Sequence, residues 1–226
     1  MTVEPTLAVV YTDVGRVWGE VDRQYVVTSA VPVGEHPPAR GGFALETDTK
    51  SVEPMDPLNP HVLLDSGTSY RGAPGWIGFS VPKPLNVERA TITWPGGARD
   101  LSDAAIERLA RPPTAFEVHE VSTPASAAPG DDVLLSVTVE NVGDVAGRWV
   151  GALTRAGPEV VHVAEAAIRM DVPADETRTW EYQKRVPDDL GDRAAAEMTF
   201  TLDHRDGRLS RTVAVESESE TSDVRT

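Results

Sequence analysis

Apolar and polar side chains alternate with a period of two along much of this sequence. In the segment 135–139, three apolar residues are separated by Ser136 and Thr138. Successive side chains of a β-strand point to opposite faces of a sheet, so this spacing places one face on a core and the other in water. The same alternation recurs in the segments 77–81, 90–94 and 198–202.

Clusters of proline, glycine and aspartate interrupt these segments at short intervals. Each of these residues favours turns for a backbone reason, and short alternating strands with regular turns are typical of antiparallel sandwiches. The sequence therefore predicts an all-β protein of two immunoglobulin-like antiparallel β-sandwich domains joined by a short helix. The turn clusters span residues 34–42, 53–60, 95–100, 129–132 and 186–192.

The predicted helix covers about residues 102–111. Ser102 is a good N-cap residue, and Leu101 and Ile106 have the spacing of a hydrophobic staple. Two consecutive prolines follow the helix and end it, because proline lacks the N–H donor and disfavours helical backbone before it.

These prolines also set the predicted domain boundary. The N-terminal domain is expected to cover 1–112 and the second domain 113–215. Residues 216–226 contain few apolar side chains and several carboxylates, so we expect a disordered acidic tail there.

The chain is strongly acidic, with a formal net charge of −15 and only three lysines among its 21 basic residues. Residues 1–112 carry 14 acidic and 10 basic side chains, and residues 113–226 carry 22 and 11. High salt shortens the Debye length to about 3 Å and screens such self-repulsion, so the composition favours a halophilic protein. The codon bias of a GC-rich genome is the alternative. The lack of clustered Lys and Arg argues against nucleic-acid binding and against docking on anionic membranes.

The sequence contains no cysteine, which excludes disulfides, thiolate zinc sites and a cysteine nucleophile. The apolar run Leu7–Tyr11 is far shorter than the roughly 20 residues of a membrane-spanning helix. Met1 is followed by Thr-Val-Glu-Pro without a basic or long apolar stretch, so we expect no export signal in this sequence.

A resemblance to known domains rests on three strings of the second half: PASAAPGDDVLLSVTVENVGDVAGRWVGAL, VPADETRTWEYQKRVP and AAAEMTFTLD. Together, over residues 114–215, they resemble the immunoglobulin-like domains of the CARDB type (cell-adhesion-related domains of bacteria and archaea). The turn of this pattern is Asn141-Val-Gly143-Asp144, where Gly143 can adopt positive φ and Asn141 can close an Asx-turn.

The first half resembles, less closely, the immunoglobulin-like domains of exported archaeal and bacterial proteins, on the string GWIGFSVPKPLNVERATITW. The whole arrangement resembles surface proteins of halophilic archaea. This resemblance implies an extracellular or cell-surface location, and the absence of an export signal keeps a cytoplasmic location as the alternative.

The sharpest catalytic candidate is Asp65, in the string Val-Leu-Leu-Asp65-Ser-Gly-Thr. This string matches the active loop of aspartic proteases, in which two carboxylates share a proton. A single copy would require a homodimer. Asp, Ser and Gly are also common turn residues, so a polar turn between two strands is the structural alternative.

Calcium is the one cofactor that the sequence suggests. Calcium binds six to eight oxygens from flexible loops, and two acidic turns offer such oxygens. Hairpin turns on an acidic surface are the alternative, because Asp206-Gly207 is a hairpin signal. The candidate ligands are Asp188, Asp189, Asp192, Asp203 and Asp206.

Other site-forming residues show no catalytic or metal-binding spacing. The five histidines are scattered, and His119 and His162 are expected within strands. An exposed row of tryptophans could bind carbohydrate or a partner, but we expect most of the five in cores because each buries a large apolar area. They are Trp18, Trp76, Trp94, Trp149 and Trp180.

The sequence thus favours a non-enzymatic surface or accessory protein that acts through protein or ligand contacts of its two domains. The oligomeric state stays open. Two alternatives remain at this point: a homodimeric aspartic protease using Asp65, and a soluble ligand-binding module of a transport or sensing system. The last would be favoured by a large apolar cleft between the domains.

Overall fold

The computed structural model shows an all-β protein, with 56% of the described residues in strands and 5% helical. No helix in the described part of the chain is long and apolar enough to cross a membrane. We refer to residues 1–112 as the N-terminal part and to residues 113–216 as the C-terminal part. The structure describes residues 1–34, 36–56, 62–158, 160–190 and 197–216.

The N-terminal part forms three antiparallel sheets, with strand orders β1-β4-β9, β3-β2-β7-β8 and β11-β10-β5-β6. A short 3-10 helix, Arg40–Gly42, precedes β5, and one α-helix, α1, follows β11. The elements are β1 (Thr2–Glu4), β2 (Leu7–Tyr11), β3 (Val14–Trp18), β4 (Arg23–Ala30), β5 (Ala44–Thr47), β6 (Ser51–Val52), β7 (Val62–Leu63), β8 (Gly67–Thr68), β9 (Gly75–Pro82), β10 (Ala90–Trp94), β11 (Gly97–Asp100) and α1 (Asp103–Ala110).

The C-terminal part forms two sheets, of orders β12-β14-β17 and β13-β19-β18-β15-β16. All of their pairs are antiparallel except β13 with β19, a short parallel edge that the alternation did not predict. The strands are β12 (Phe116–Ser122), β13 (Ser126–Ala127), β14 (Asp132–Asn141), β15 (Gly147–Ala156), β16 (Val163–Val172), β17 (Thr177–Arg185), β18 (Glu197–His204) and β19 (Gly207–Val215).

The two sheets of the C-terminal part enclose one hydrophobic core in a sandwich-like arrangement. Leu135, Val137 and Val139 of β14 are fully buried, as their alternation predicts. Met198 and Phe200 of β18 fill the same core from the opposite sheet. Burying each such side chain contributes about 1.5–3 kcal/mol, so this core stabilises the pairing of the two sheets.

The N-terminal part differs from a two-sheet sandwich because its central sheet, β1-β4-β9, is covered on both faces. Val26 of β4 faces one core, together with Ile77 of β9. Tyr25 and Val27 face a second core under the sheet that contains β2. Four successive residues of β4 are therefore buried. A strand that is covered on both faces does not show the alternation of apolar and polar residues that is typical of a sandwich strand.

The predicted helix is confirmed as α1. The side chain of its N-cap Ser102 accepts a hydrogen bond from Ala105 N, and Leu101 and Ile106 both contact the first core. No strand pair in the described part of the chain joins residues on opposite sides of Pro112-Pro113. The sequence predicts that the disordered tail begins at Glu216. Glu216 N donates a hydrogen bond to Ala127 O at 2.9 Å, so this residue is still held against β13. Residues 217–226 lie outside the described residues.

The Asx-turn at Asn141 is confirmed, whereas the positive φ expected at Gly143 is wrong. Asn141 is fully buried, and its Oδ1 accepts from Gly143 N at 3.1 Å and from Thr114 Oγ1 at 2.8 Å. Gly143 is absent from the positive-φ positions of the described residues. A Cβ on Gly143 would lie 2.1 Å from Thr114 Oγ1, so close approach of the chain to Thr114 requires the glycine.

The β2–β3 hairpin joins the two parts by packing on the sheet that contains β15, β16 and β18. Ala8 of β2 is buried against Val150 and Ala152 of β15. Gly15 N donates to Thr154 Oγ1 at 2.8 Å, and Val17 N donates to Asp203 Oδ1 at 2.8 Å. We call this contact between the two parts the junction.

Candidate functional site: an aromatic cleft and an ion-paired junction

A cleft of about 390 Å³ opens in the N-terminal part where strands β4 and β10 end. Its volume lies in the range of small-ligand sites, about 300–1,000 Å³. Gln24, at the start of β4, lies close to Arg148 of the C-terminal part, whereas Ala30, at the end of β4, lines this cleft. The cleft is therefore at the end of β4 that is remote from the junction. We call it the aromatic cleft because three rings line it: Phe43, Tyr70 and Trp94.

The rings of the aromatic cleft pack against one another. Phe43 meets the edge of Tyr70, with centroids 5.5 Å apart, and stacks near Trp94 at 6.2 Å. The Tyr70 hydroxyl donates to Pro38 O at 2.9 Å, which fixes the ring against the loop that follows β4. Interlocked rings of this kind form a preorganised apolar floor, and preorganisation lowers the entropic cost of binding.

The rim of the aromatic cleft combines one imidazole and one guanidinium group with exposed apolar side chains. His36 and Arg99 line the rim, and neither side chain forms an ion pair within the described part of the chain. Val31 and Val33 are 70% and 87% exposed. Apolar side chains clustered beside a cleft are typical of a binding surface, and the rim suits a ligand with an anionic group.

The catalytic candidate Asp65 lies in the turn between β7 and β8, and Gly67 there has φ of 70°. Its Oδ2 accepts a hydrogen bond from Arg169 Nη1 of β16. The carboxylate thus contributes to the junction, and a protease dyad would first require this ion pair to break. The proteolytic role of Asp65 stays a prediction.

Most of the candidate calcium ligands form ion pairs with neighbouring arginines. Asp203 Oδ2 accepts from Arg16 Nη1 and from Arg208 Nη2, each at 3.1 Å. Asp188 pairs with Arg185, and Asp206 with Arg205. Over the described residues, no three His, Asp or Glu side chains converge as a metal site. Asp189 has a partner of its own, and Asp192 lies outside the described residues. Calcium binding stays a prediction.

The histidines also lie apart from one another. His119 of β12 bonds to Glu140 of β14. His162 precedes β16, so the expectation of a strand position is wrong there. His204 packs beside Trp149, and burial lowers its pKa below the ordinary value. His61 lies outside the described residues.

The tryptophans mostly support cores, as expected. Trp76 and Trp149 are buried, and Trp18 and Trp180 are partly buried against hydrophobic clusters. Trp94 also contacts a core, but it is the tryptophan that lines the aromatic cleft.

An ion-pair network at the junction was missed by sequence reasoning. Arg148 of β15 donates from Nη1 to Glu4 Oε1 at 3.0 Å. Its Nε and Nη2 donate to the two oxygens of Asp171 at 2.8 and 2.6 Å. Arg169 and Arg108 extend the network to Glu4 at 3.5 Å and to Asp171 at 3.3 Å.

The two carboxylates of this network respond differently to their surroundings. Glu4 is 2% exposed, and burial raises its pKa although Arg148 and Arg169 oppose the shift. The hydrogen bonds from Arg148 lower the pKa of Asp171, which is half exposed. The junction therefore consists mainly of ion pairs and apolar contacts, which counts against a large apolar ligand cleft between the two parts.

No protein-family model matches this chain, and no curated protein matches it. Solved structures with partial similarity include a β-glucosidase from Listeria innocua in complex with glucose (17% identity, TM-score 0.38) and a β-glucosidase from Erythrobacter marinus (16%, 0.39). Each match covers 46% of this chain and 16% of the known one, so this chain spans far less than two thirds of those enzymes. At such TM-scores the likeness carries no argument on function.

Proposed function

We propose that this protein is a non-enzymatic binding protein, with a three-sheet N-terminal domain and a β-sandwich C-terminal domain that meet at residues 112–113, and with a ligand or partner site in the aromatic cleft. The observation that carries the proposal is the cleft itself, with about 390 Å³ of space over three interlocked rings. The ion-paired junction supports a fixed arrangement of the two domains.

Binding at the aromatic cleft can be tested with the dye 8-anilinonaphthalene-1-sulfonate, which combines aromatic rings with one anionic group. We expect the dye to bind the folded protein and Trp94→Ala to weaken its affinity by about tenfold, because one face of the site is removed. Arg99→Gln should weaken binding less and reduce its dependence on salt. Affinity is measured by fluorescence titration.

The matched control for this experiment is Tyr11→Ala. Tyr11 is 71% exposed on the β2–β3 hairpin and does not line the cleft. Its removal should leave dye affinity unchanged. Equal affinities for the wild-type protein, Trp94→Ala and Tyr11→Ala would place the dye elsewhere and contradict a site in the cleft.

The proposed location is the cell surface, and the support is the resemblance of residues 114–215 to CARDB-type immunoglobulin-like domains. On this proposal the protein would act by presenting its domains to a partner at that surface. Fractionation of native cells with an antibody to this chain tests the location. Recovery of the protein from the cytosol alone would overturn the surface role and leave the binding role of the cleft standing.

A further inference from the structure

Two small cavities lie side by side at the junction, and Pro5, Lys83 and Arg148 line both of them. Each holds about 20 Å³. A water molecule needs about 10–15 Å³ of such space, so each cavity accommodates one particle of about that size. A tetrahedral oxyanion such as phosphate is too large for either.

The first of these cavities has an unusual lining for so acidic a chain. Four of its lining side chains are basic, namely Lys83, Arg108, Arg111 and Arg148, and none is acidic. We call it the basic cavity.

Nearby carboxylates neutralise only part of this positive charge. Asp171 pairs with Arg108 and Arg148, and Glu4 pairs with Arg148. In the described part of the chain, Lys83 and Arg111 make no ion pair. Four cations therefore face two carboxylates, which leaves an excess positive charge at a half-buried position.

Lys83 is the lysine of this group, and its pKa is lowered. It follows β9 and is half-buried between the two parts. Burial is the main reason that its pKa is lowered to about 8, and the positive charge of Arg205, which lines the second cavity, contributes to the same shift. A buried ammonium without a counterion is unfavourable, and proteins satisfy such groups with a charge of opposite sign.

We propose that the basic cavity binds a chloride ion, held by Lys83 and by the guanidinium groups of Arg111 and Arg148, as a counterion that fastens the junction. A halide carries the required single negative charge and, although it is larger than a water molecule, it is far smaller than a tetrahedral oxyanion. The site is distinct from the aromatic cleft, which lies at the other end of β4.

Chloride binding is tested by thermal unfolding at constant potassium concentration and ionic strength, with gluconate replaced stepwise by chloride. Screening is the same throughout, so only a specific anion effect remains. At ten times its dissociation constant, chloride raises the folded-to-unfolded ratio about elevenfold. For a chain of this length, that corresponds to an increase in melting temperature of about 3–6 °C, and above the dissociation constant the melting temperature should keep rising with the logarithm of the chloride concentration.

Lys83→Met should abolish the response to chloride. This variant also removes the uncompensated cation, so it should melt above the wild-type protein in gluconate. Arg111→Gln should weaken the response without abolishing it. The matched control is Lys50→Met, which removes a lysine from an exposed turn and should keep the wild-type chloride response.

Chlorine-35 NMR supplies a direct readout. The chloride signal should broaden in the presence of the wild-type protein and of Lys50→Met, and much less with Lys83→Met. The proposal is overturned if Lys83→Met keeps the wild-type response to chloride in both measurements, or if chloride and gluconate give the wild-type protein the same melting temperature.

Discussion

At the scale of single residues, Glu4 shows the cost of joining the two parts through charge. Its Oε1 accepts from Arg148, while its buried Oε2 has no hydrogen-bond partner in the described part of the chain. Removing a carboxylate from water costs several kcal/mol, and only its ion pairs offset that cost. The pair is thus more important for avoiding an isolated buried charge than for adding net stability.

Loss of Arg148 should therefore destabilise the protein strongly. We expect Arg148→Met to lower the free energy of unfolding by about 3 kcal/mol, because it leaves Glu4 buried with only the distant Arg169 as a partner. The double variant Glu4→Gln/Arg148→Met should recover a large part of this loss. Urea unfolding of the three proteins measures the effect.

The control for this series is Arg178→Met. Arg178 pairs with Glu176 at 2.6 Å, but both side chains are about half exposed. Exposed pairs contribute about 0–1 kcal/mol, so the control should stay within that range. If Arg148→Met also falls in that range, Glu4 is not dependent on its ion pair.

Lys83 should give the protein an alkaline pH dependence. Its folded-state pKa of about 8 lies below its ordinary value of 10.5. Between these values the unfolded chain binds more protons, so stability should rise as pH increases from about 8 to 10.5. The charged groups around Lys83 are Arg108, Arg111, Arg148, Arg205 and Asp206.

Unfolding by urea across this pH range, in gluconate, measures the effect as a difference between two proteins. The slope of stability against pH should be smaller in Lys83→Met than in the wild-type protein, since the other groups titrate equally in both. Identical slopes would show that Lys83 has an ordinary pKa in the folded protein.

At the scale of elements, the β2–β3 hairpin depends on the absence of a side chain at Gly15. A Cβ there would lie 3.2 Å from Ala152 Cβ and 3.2 Å from Leu153 O. β15 is part of a packed sheet and cannot retreat without disturbing its core. Glycine at this position therefore permits the close approach of the hairpin to β15.

Substitution of Gly15 by valine should separate the two parts without changing the cores inside each part. We expect Gly15→Val to expose the apolar face of the junction and to divide one cooperative unfolding transition into two. Differential scanning calorimetry measures the number of transitions. Arg89→Val, a substitution at an exposed position of the loop before β10, should keep the wild-type profile. A single wild-type transition in Gly15→Val would contradict this account of the hairpin.

The elements also show which features could be predicted from sequence. The alternation in β14, the capped helix α1 and the Asx-turn at Asn141 are local patterns, and the structure bears them out. Arg16 and Asp203 form an ion pair although they lie 187 residues apart in the sequence, and no local spacing predicts such a pair. The aromatic cleft was missed for the same reason, since its rings come from three separated segments.

At the scale of the whole molecule, net charge dominates. Of the charge of −15, the larger share belongs to residues 113–226. The junction uses arginine to fix several carboxylates, but most carboxylates remain on the surface. Their mutual repulsion disfavours the compact state, and dissolved salt screens it.

Stability should therefore increase with salt concentration, whatever the anion. We expect the melting temperature to rise steeply between low and molar potassium chloride, and also in potassium gluconate, because screening acts in both. Scanning calorimetry over matched series measures it, and a halophilic adaptation requires this rise. A melting temperature independent of salt concentration would contradict the screening argument.

The junction also has a consequence for folding while the ribosome is still synthesising the chain. Val17 on β3 bonds to Asp203, which the ribosome adds 186 residues later. At about 5–20 residues per second, this separation corresponds to about 10–40 s. During that interval the face of the hairpin that contains Ala8 has no partner sheet. The early part of the nascent chain must then rely on the two cores within its own three sheets.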